Sequence, residues 1–501
     1  MAAVSVKRTT SILFALRVLR MLMSLVTVTL TAKYFGVSVE KDAWLLVTAL
    51  FSSIVLLIWG PINETFRAKF VFLRESDGEP TALRSAWSLV SGVIVVTLVL
   101  IAILALFASP ISHFAAFDLK DAGIAWFFSL FMVLLPTLLI DELNNIFSSI
   151  LNAYDIFYLP ELVGTFTTLG YIGILIWVAP TIGIYAMVAG QYLSTLTLVA
   201  VLLIVIRRKG LFKTSWLLRP DFKLLKPFIL YALPFFFPYA VGQLNAFGER
   251  WLAGILGVGN VSILDYGRRF TMILQTVLGG ILTTVMVPLL AKAHIAQDNA
   301  DFIGKLKEHL SVVYGIMLVA IPFLVGAAYP LCDFLFHRGS VTAADIEKIT
   351  LICQLYAFAF LCVVLYIIFG NVLLASEQGK PYAFWGVMAQ LVVLALNFGF
   401  VSVCGLIIFP LSLGAVHLVS GIIMWRKSKA WLSDVAKTIL KSNALILAAC
   451  ALLYLCSTRF LPAETLPNLC LSTLIAIATA IILSPVIGIN PWKILQQLKK
   501  K

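Results

Sequence analysis

Long apolar runs constrain this 501-residue chain more than any other feature: fourteen stretches on the scale of a membrane span, with few charges, can be drawn along it. A helix needs about 20 apolar residues to cross a bilayer. Inside lipid the backbone must satisfy its own hydrogen bonds, so only helices and closed barrels cross. A barrel would read as alternating segments of about ten residues, and none are seen. The chain is therefore expected to be an all-α polytopic membrane protein. Composition agrees, with 61% hydrophobic and only 12% charged residues, where soluble proteins carry about 25% charge. The expected spans are 11–35, 43–66, 86–108, 123–151, 160–178, 182–206, 227–256, 270–291, 309–329, 349–375, 382–403, 406–425, 443–456 and 469–488.

A net charge of +13 raises the question of nucleic acid, but the basic residues crowd alternate short loops rather than a soluble patch. With the N-terminus inside, the inner loops hold 26 Lys and Arg and the outer loops 7. The central linker alone supplies Arg207, Arg208, Lys209, Lys213, Arg219, Lys223 and Lys226. This asymmetry predicts both termini in the cytoplasm and no nucleic-acid partner. Lys7 and Arg8 precede an apolar run as in a signal peptide, yet that run continues past Arg17 and Arg20 to Phe35 without a small-residue cleavage site. It reads as a retained first span. Seven cysteines, all from Cys332 onward, include no C-x-x-C pair, and the five histidines show no metal-ligand spacing. No metal or cofactor is expected. The absence of a Walker A motif argues against ATP hydrolysis by this chain. The short outer loops argue against a membrane glycosyltransferase or ligase.

The chain also repeats. Gly36 is followed six residues later by Asp42, and Gly259 by Asp265, at corresponding turns after spans one and seven. An Asp at such a place is expected to cap the following helix. The simplest organisation is an N-terminal six-helix lobe (1–206), a basic linker (207–226), a second six-helix lobe (227–425), a basic segment (426–442) and a final helix pair with its tail (443–501). Transporters are often built from such repeats, with the substrate at the repeat interface.

Ionisable groups inside spans are costly, about 2.5–3.5 kcal/mol for a central Arg, and mark candidate sites. Arg17 and Arg20 share one face of the first helix, at depths of about 9 and 13 Å. Arg17 can snorkel to the headgroups, whereas Arg20 is too deep to do so easily. Glu64 and Arg67, three apart near the cytoplasmic end of span two, are placed to pair with each other. Glu249 and Arg250 lie in span seven above Gln243 and Asn245, and Arg268 and Arg269 open span eight. Asp141, Glu142, Asn144 and Asn145 cluster in span four after the helix-bending Pro136, where hydrogen bonding between helices is one reading. The candidate substrate-binding residues are thus Arg17, Arg20, Asp42, Glu64, Glu249, Arg250, Arg268 and Arg269. Their cationic bias suits a phosphate- or pyrophosphate-bearing cargo, because guanidinium grips phosphate oxygens in bidentate fashion.

Several stretches resemble one family. Tyr34-Phe35-Gly36 with Lys41-Asp42-Ala43-Trp44 is similar to the first hairpin of the MurJ (MviN) lipid II flippases of the MOP superfamily. Ser149 to Phe157 with Pro160, Gly259 to Arg269 with Val287-Pro288-Leu289-Leu290, and Phe336 to Thr342 with Asp345 resemble later turns of that family, in order. The resemblance implies two lobes in a V shape, alternating access, and a tail groove beside the last two helices. It implies movement of undecaprenyl-pyrophosphate-linked lipid II, the peptidoglycan precursor, across a bacterial inner membrane by a monomer in contact with membrane lipids. Arg20, Asp42, Glu249 and Arg269 match family site positions. Thr27, Val55 and Met272 depart from it, standing where the family has Arg, Arg and Glu. The alternatives are a flippase for an O-antigen or capsule oligosaccharide and a MATE-like cation-coupled drug antiporter.

Overall fold

A computed structural model of the protein describes residues 6–154, 156–212, 220–428 and 435–488. The side chain of Arg17, Lys213 and Arg219 of the basic linker, and the tail from 489 onward lie outside the described residues. Among the described residues the secondary structure is helical, as the apolar runs predict. Helices occupy all fourteen expected ranges. Ten helical runs qualify as crossings by length and composition, or eleven with one bent pair counted as a single span.

Packing divides the chain into two compact units, Met1–Ser262 with Arg338–Ser340, and the remainder. The first contains α1 (Val6–Phe35), α2 (Val39–Ile58), α3 (Gly60–Asp77), α4 (Glu79–Leu106), α5 (Lys120–Leu134) and α6 (Thr137–Ala153). It continues through α7 (Tyr158–Trp177), α8 (Tyr185–Arg208), α9 (Phe222–Ala232) and α10 (Phe236–Ile255). Prolines set the interruptions, since each removes a helical N–H and clashes with the preceding turn. Span two breaks at Gly60-Pro61 and span seven at Pro234. Span four bends by 46° at Pro136.

The core of this unit gathers where α3, α4, α6 and α9 meet. Phe66 stacks on Phe70 and on Phe228, at 5.8 and 5.2 Å between ring centroids. Trp87 is buried edge-on against Phe212 at 4.5 Å, and its indole N–H donates to the Leu211 carbonyl at 2.7 Å. Burying an aromatic requires a partner for its polar tip, and the chain just after α8 supplies one. The outward faces stay apolar: Val95, Val96, Leu98 and Val99 of α4 are exposed while Val93 and Thr97 are buried. That pattern suits a hydrocarbon solvent.

The second unit contains most of α11 (Asn260–Ile281), then α12 (Asn299–Gly326), α13 (Ala343–Ala375), α14 (Gly379–Cys404), α15 (Ile408–Lys427), α16 (Val435–Leu455) and α17 (Thr465–Leu483). Helix α16 begins at Val435, earlier than the expected 443, because Val435 and Ile439 are already buried. The run Gly379–Lys427 doubles back at Gly405, where φ is +59°. Helices α13 and α15 then pack closely: a Cβ on Gly414 would stand 3.2 Å from the Ala359 backbone. Small residues permit such approaches between membrane helices, where dispersion replaces the hydrophobic effect as the driving force. Helix α13 opens with a capping box in which Thr342 and Asp345 satisfy each other's backbone N–H.

Candidate functional site

In the first unit the bend at Pro136 shapes a cavity. The Thr137 hydroxyl turns back onto the Leu134 carbonyl at 2.7 Å. One turn later Asp141 and Asn145, four residues apart, present one face of α6. Opposite them stand Thr48 and Ser52 of α2, and Gln191 comes from α8. These polar groups and the apolar Phe51, Val55 and Leu138 enclose about 260 Å³. One carboxylate among amides and hydroxyls is a hydrogen-bonding set for a ligand rich in hydroxyl and amide groups. Val55, where the family pattern has Arg, lines this space.

Arg20 lies on α1 with its side chain half exposed, 3.6 Å from a carboxylate oxygen of Glu161 on α7. The guanidinium lies over Gly164, where a Cβ would meet it at 2.9 Å. A long, half-exposed ion pair contributes only about 0–1 kcal/mol, so a phosphate oxygen can displace it at little cost. Arg20→Ala and Glu161→Gln should therefore each lower stability by no more than about 1 kcal/mol, read from unfolding in detergent. A larger loss would make the pair a structural tie.

Asp42 does not cap its own helix. Ser38 does so, accepting the Lys41 N–H at 3.2 Å. The Asp42 carboxylate is fully buried and accepts the Gly259 N–H at 2.5 Å. It also accepts the Ser262 N–H at 2.8 Å and the Ser262 hydroxyl at 2.6 Å. The first of the two repeated turns thus caps the helix that follows the second.

The remaining predicted residues have other partners. Glu64 accepts the Tyr239 hydroxyl at 3.3 Å and Arg67 lies over the Phe157 ring at 5.0 Å, so the expected Glu64–Arg67 pair does not form. Tyr239 reaches Glu64 because its ring lies against Gly60. Arg250 donates to the Ala246 carbonyl of its own helix at 3.2 Å, and Glu249 is half-buried beside it. In the second unit Arg268 lies over Tyr356 at 5.8 Å and Arg269 is half-buried. The structure thus joins Arg20 and Glu64 to partners outside the predicted set. Glu161, Gln191 and Asn63 were not singled out from the sequence. A Glu one residue after Pro160 was the only signal available for the first, and it reads equally as an ordinary helix start.

The polar cluster of span four divides between two faces. Asn144 donates to the Thr195 carbonyl of α8 at 3.0 Å, a bond between helices of the expected kind. Glu142, fully buried, accepts from Asn63 of α3 at 3.1 Å and from Asn145 at 3.5 Å.

The family model described as lipid II flippase MurJ matches residues 31–481. A lipid II flippase MurJ of Burkholderia cenocepacia is 24% identical over 347 residues, 66% of each chain. A probable lipid II flippase MurJ of Borreliella burgdorferi is 20% identical over 84% of each chain. A third relative, from Vibrio cholerae, is 24% identical, and the match spans 31% of its length. Among solved structures, a lipid II flippase MurJ in an inward closed conformation superposes with a TM-score of 0.77 at 18% identity, covering 95% of this chain and 98% of that one. An inward-facing MATE multidrug transporter of the MOP superfamily gives 0.66 at 15% identity, covering 85% and 95%.

Proposed function

The chain belongs to the lipid II flippase MurJ family, and we propose that it moves a polyprenyl-pyrophosphate-linked glycan precursor, lipid II, from the cytoplasmic to the outer leaflet. The observation that carries this reading to a site is Arg20. It is a half-exposed cation within the first span, held by one carboxylate at 3.6 Å. In the proposed cycle a pyrophosphate oxygen replaces Glu161 on the guanidinium. The polar cavity of Thr48, Ser52, Asp141, Asn145 and Gln191 lies in the same unit and offers hydrogen bonds to the sugar and amide groups of the cargo. Arg269 is assigned the same phosphate chemistry on its own unit, and Arg17 is a further candidate. Asp42, Glu64, Glu249, Arg250 and Arg268 are retained as residues that shape the site.

On this reading both termini lie on the cytoplasmic side of a bacterial inner membrane, which the excess of Lys and Arg in alternate loops supports, and the protein acts as a monomer without cofactor or catalysis. Cargo shifts the inward–outward equilibrium only through its different affinity for the two states. Any net charge carried across is driven by the membrane potential at about 2.3 kcal/mol per charge per 100 mV.

The test is rescue of bacteria depleted of their own lipid II flippase, at matched membrane levels of each variant. Wild type should restore growth and cell shape, while Arg20→Ala and Arg269→Ala should lower rescue at least tenfold in plating efficiency. No rescue by a well-inserted wild type would count against lipid II and in favour of another polyprenyl-linked glycan.

A further inference from the structure

Glu142 is a fully enclosed carboxyl in the first unit. Its residue is 0% exposed, on the face of α6 turned towards α3 rather than towards the cavity of Asp141. One carboxyl oxygen, Oε2, accepts from Asn63 Nδ2 at 3.1 Å and, more weakly, from Asn145. The other, Oε1, is buried without a hydrogen-bond partner, and so is Asn63 Oδ1. Two lone acceptors therefore remain on the two groups that the Asn63–Glu142 bond has already brought face to face. An ionised carboxylate can only accept, and an amide oxygen can only accept. Left so, the pair would strand two acceptors in a low-dielectric interior, each without the hydrogen bond it would have in water.

We propose that Glu142 is a proton-binding site: in this conformation Oε1 carries a proton and donates it to Asn63 Oδ1, closing a two-bond acid–amide pair between α6 and α3. One proton taken from water neutralises the carboxyl and converts an acceptor into the one donor the pair lacks. Its loss returns two unpaired acceptors and loosens the contact of α6 with α3. Helix α6 also presents Asp141 and Asn145 to the polar cavity. The proton thus biases the wall of the candidate site, and on the flippase reading above it is the ion that couples the transport cycle.

Among the described residues no cation is paired with Glu142, whose bonds come from Asn63 and Asn145. On α6 itself the adjacent Asp141 adds negative charge. From α3, Glu64 is engaged by Tyr239, Arg67 by Phe157 and Arg74 by the Ala153 carbonyl, while Lys69 lies over Phe72. From α4, Arg84 is exposed and Glu79 accepts the Tyr154 hydroxyl. From α8, Arg207 lies over Phe212 and Tyr192 donates to the Val133 carbonyl. The charges of α2, Glu40, Lys41 and Asp42, are at its first turn. Among the described residues no group of three or more His, Cys, Asp or Glu is placed to hold a metal ion.

The test uses the full chain. Infrared difference spectra of the purified protein across a pH jump should show a protonated-carboxyl carbonyl band at neutral pH that shifts in D2O. The band should vanish in Glu142→Gln and persist in Asp141→Asn. Glu142→Gln keeps the shape of the neutral acid and supplies the same donor, so it should fold as wild type does; Glu142→Met provides a second variant without a titrating group. In liposomes containing lipid II, at fixed membrane potential, an imposed pH gradient should change the flipping rate severalfold for wild type and leave Glu142→Gln unchanged. A missing band, or one indifferent to Glu142, overturns the proton site even where flipping is seen. Sodium-dependent stabilisation abolished by Glu142→Gln also overturns it, in favour of a metal cation. Presence of the band without any flipping leaves the proton site standing and counts against lipid II as cargo. Flipping with the band but no response to the gradient overturns the coupling.

Discussion

Gly339→Ala is expected to cost the protein about 2–5 kcal/mol, enough to cut the yield of folded protein in detergent severalfold and to abolish rescue. Gly339 has φ of +63°, and a Cβ there would stand 2.1 Å from the Lys33 carbonyl oxygen and 3.0 Å from its carbon. The left-handed backbone alone costs an L-residue about 1–2 kcal/mol. The overlap adds more because both obstructing atoms are backbone and have no rotamer to change. Gly36, at φ +59°, faces the same short segment, Arg338–Ser340, from the other side. There the obstruction is the Ser340 side chain, with its hydroxyl at 2.0 Å and its Cβ at 3.2 Å from the position of an added methyl. The two substitutions should therefore differ in how they can be repaired. Ser340→Gly should restore most of what Gly36→Ala loses, down to the backbone cost of about 1–2 kcal/mol, and should do nothing for Gly339→Ala. Thermal unfolding of the four variants in one detergent decides it. Equal rescue of both would mean that the segment moves as a whole and that the contact with Lys33 is not a constraint.

The turns that meet here were legible in the sequence as glycines at the ends of apolar runs, but their meeting was not. Hydropathy locates each helix because burial in lipid acts on every residue of a span. Proline and glycine locate the breaks, at Pro136, Pro61 and Gly405, because their limits are local. Nothing local says that residues 33–36 and 338–340 lie against each other.

The candidate site divides along the same line. The depth of Arg20 follows from counting residues along one helix. Its partner Glu161 is 141 positions away, and the guanidinium reaches it across the bare surface of Gly164. Glu64 and Arg67, spaced to pair on one helix face, instead take the aromatic groups Tyr239 and Phe157 from elsewhere in the unit. Spacing identifies which pairs are possible, and packing chooses among them. Asn63 and Glu142 form the extreme case, since neither has meaning without the other and 79 positions separate them.

Asp42→Ala should be among the most damaging substitutions in a span, lowering stability by about 3–5 kcal/mol, because three donors lose a buried charged acceptor at once. The Gly259 and Ser262 N–H groups are at the start of α11, where a helix has orphan donors and a partial positive charge. The carboxylate supplies what a side chain on the same segment usually supplies, from more than 200 positions earlier in the chain. Ser262→Ala removes only the hydroxyl at 2.6 Å and leaves both backbone bonds in place, so it should cost about 1.5–3 kcal/mol, the range for one hydrogen bond to a charged group. Asp42→Asn should fall between the two. Its remaining oxygen can still accept from Ser262, while the amide N–H2 is turned towards the Gly259 N–H, setting donor against donor. The expected order of unfolding midpoints in detergent is therefore wild type, Ser262→Ala, Asp42→Asn, Asp42→Ala. An Asp42→Asn protein as stable as wild type would show that charge is irrelevant to the cap. An Asp42→Ala protein as stable as Ser262→Ala would show that the two turns are held together by packing alone.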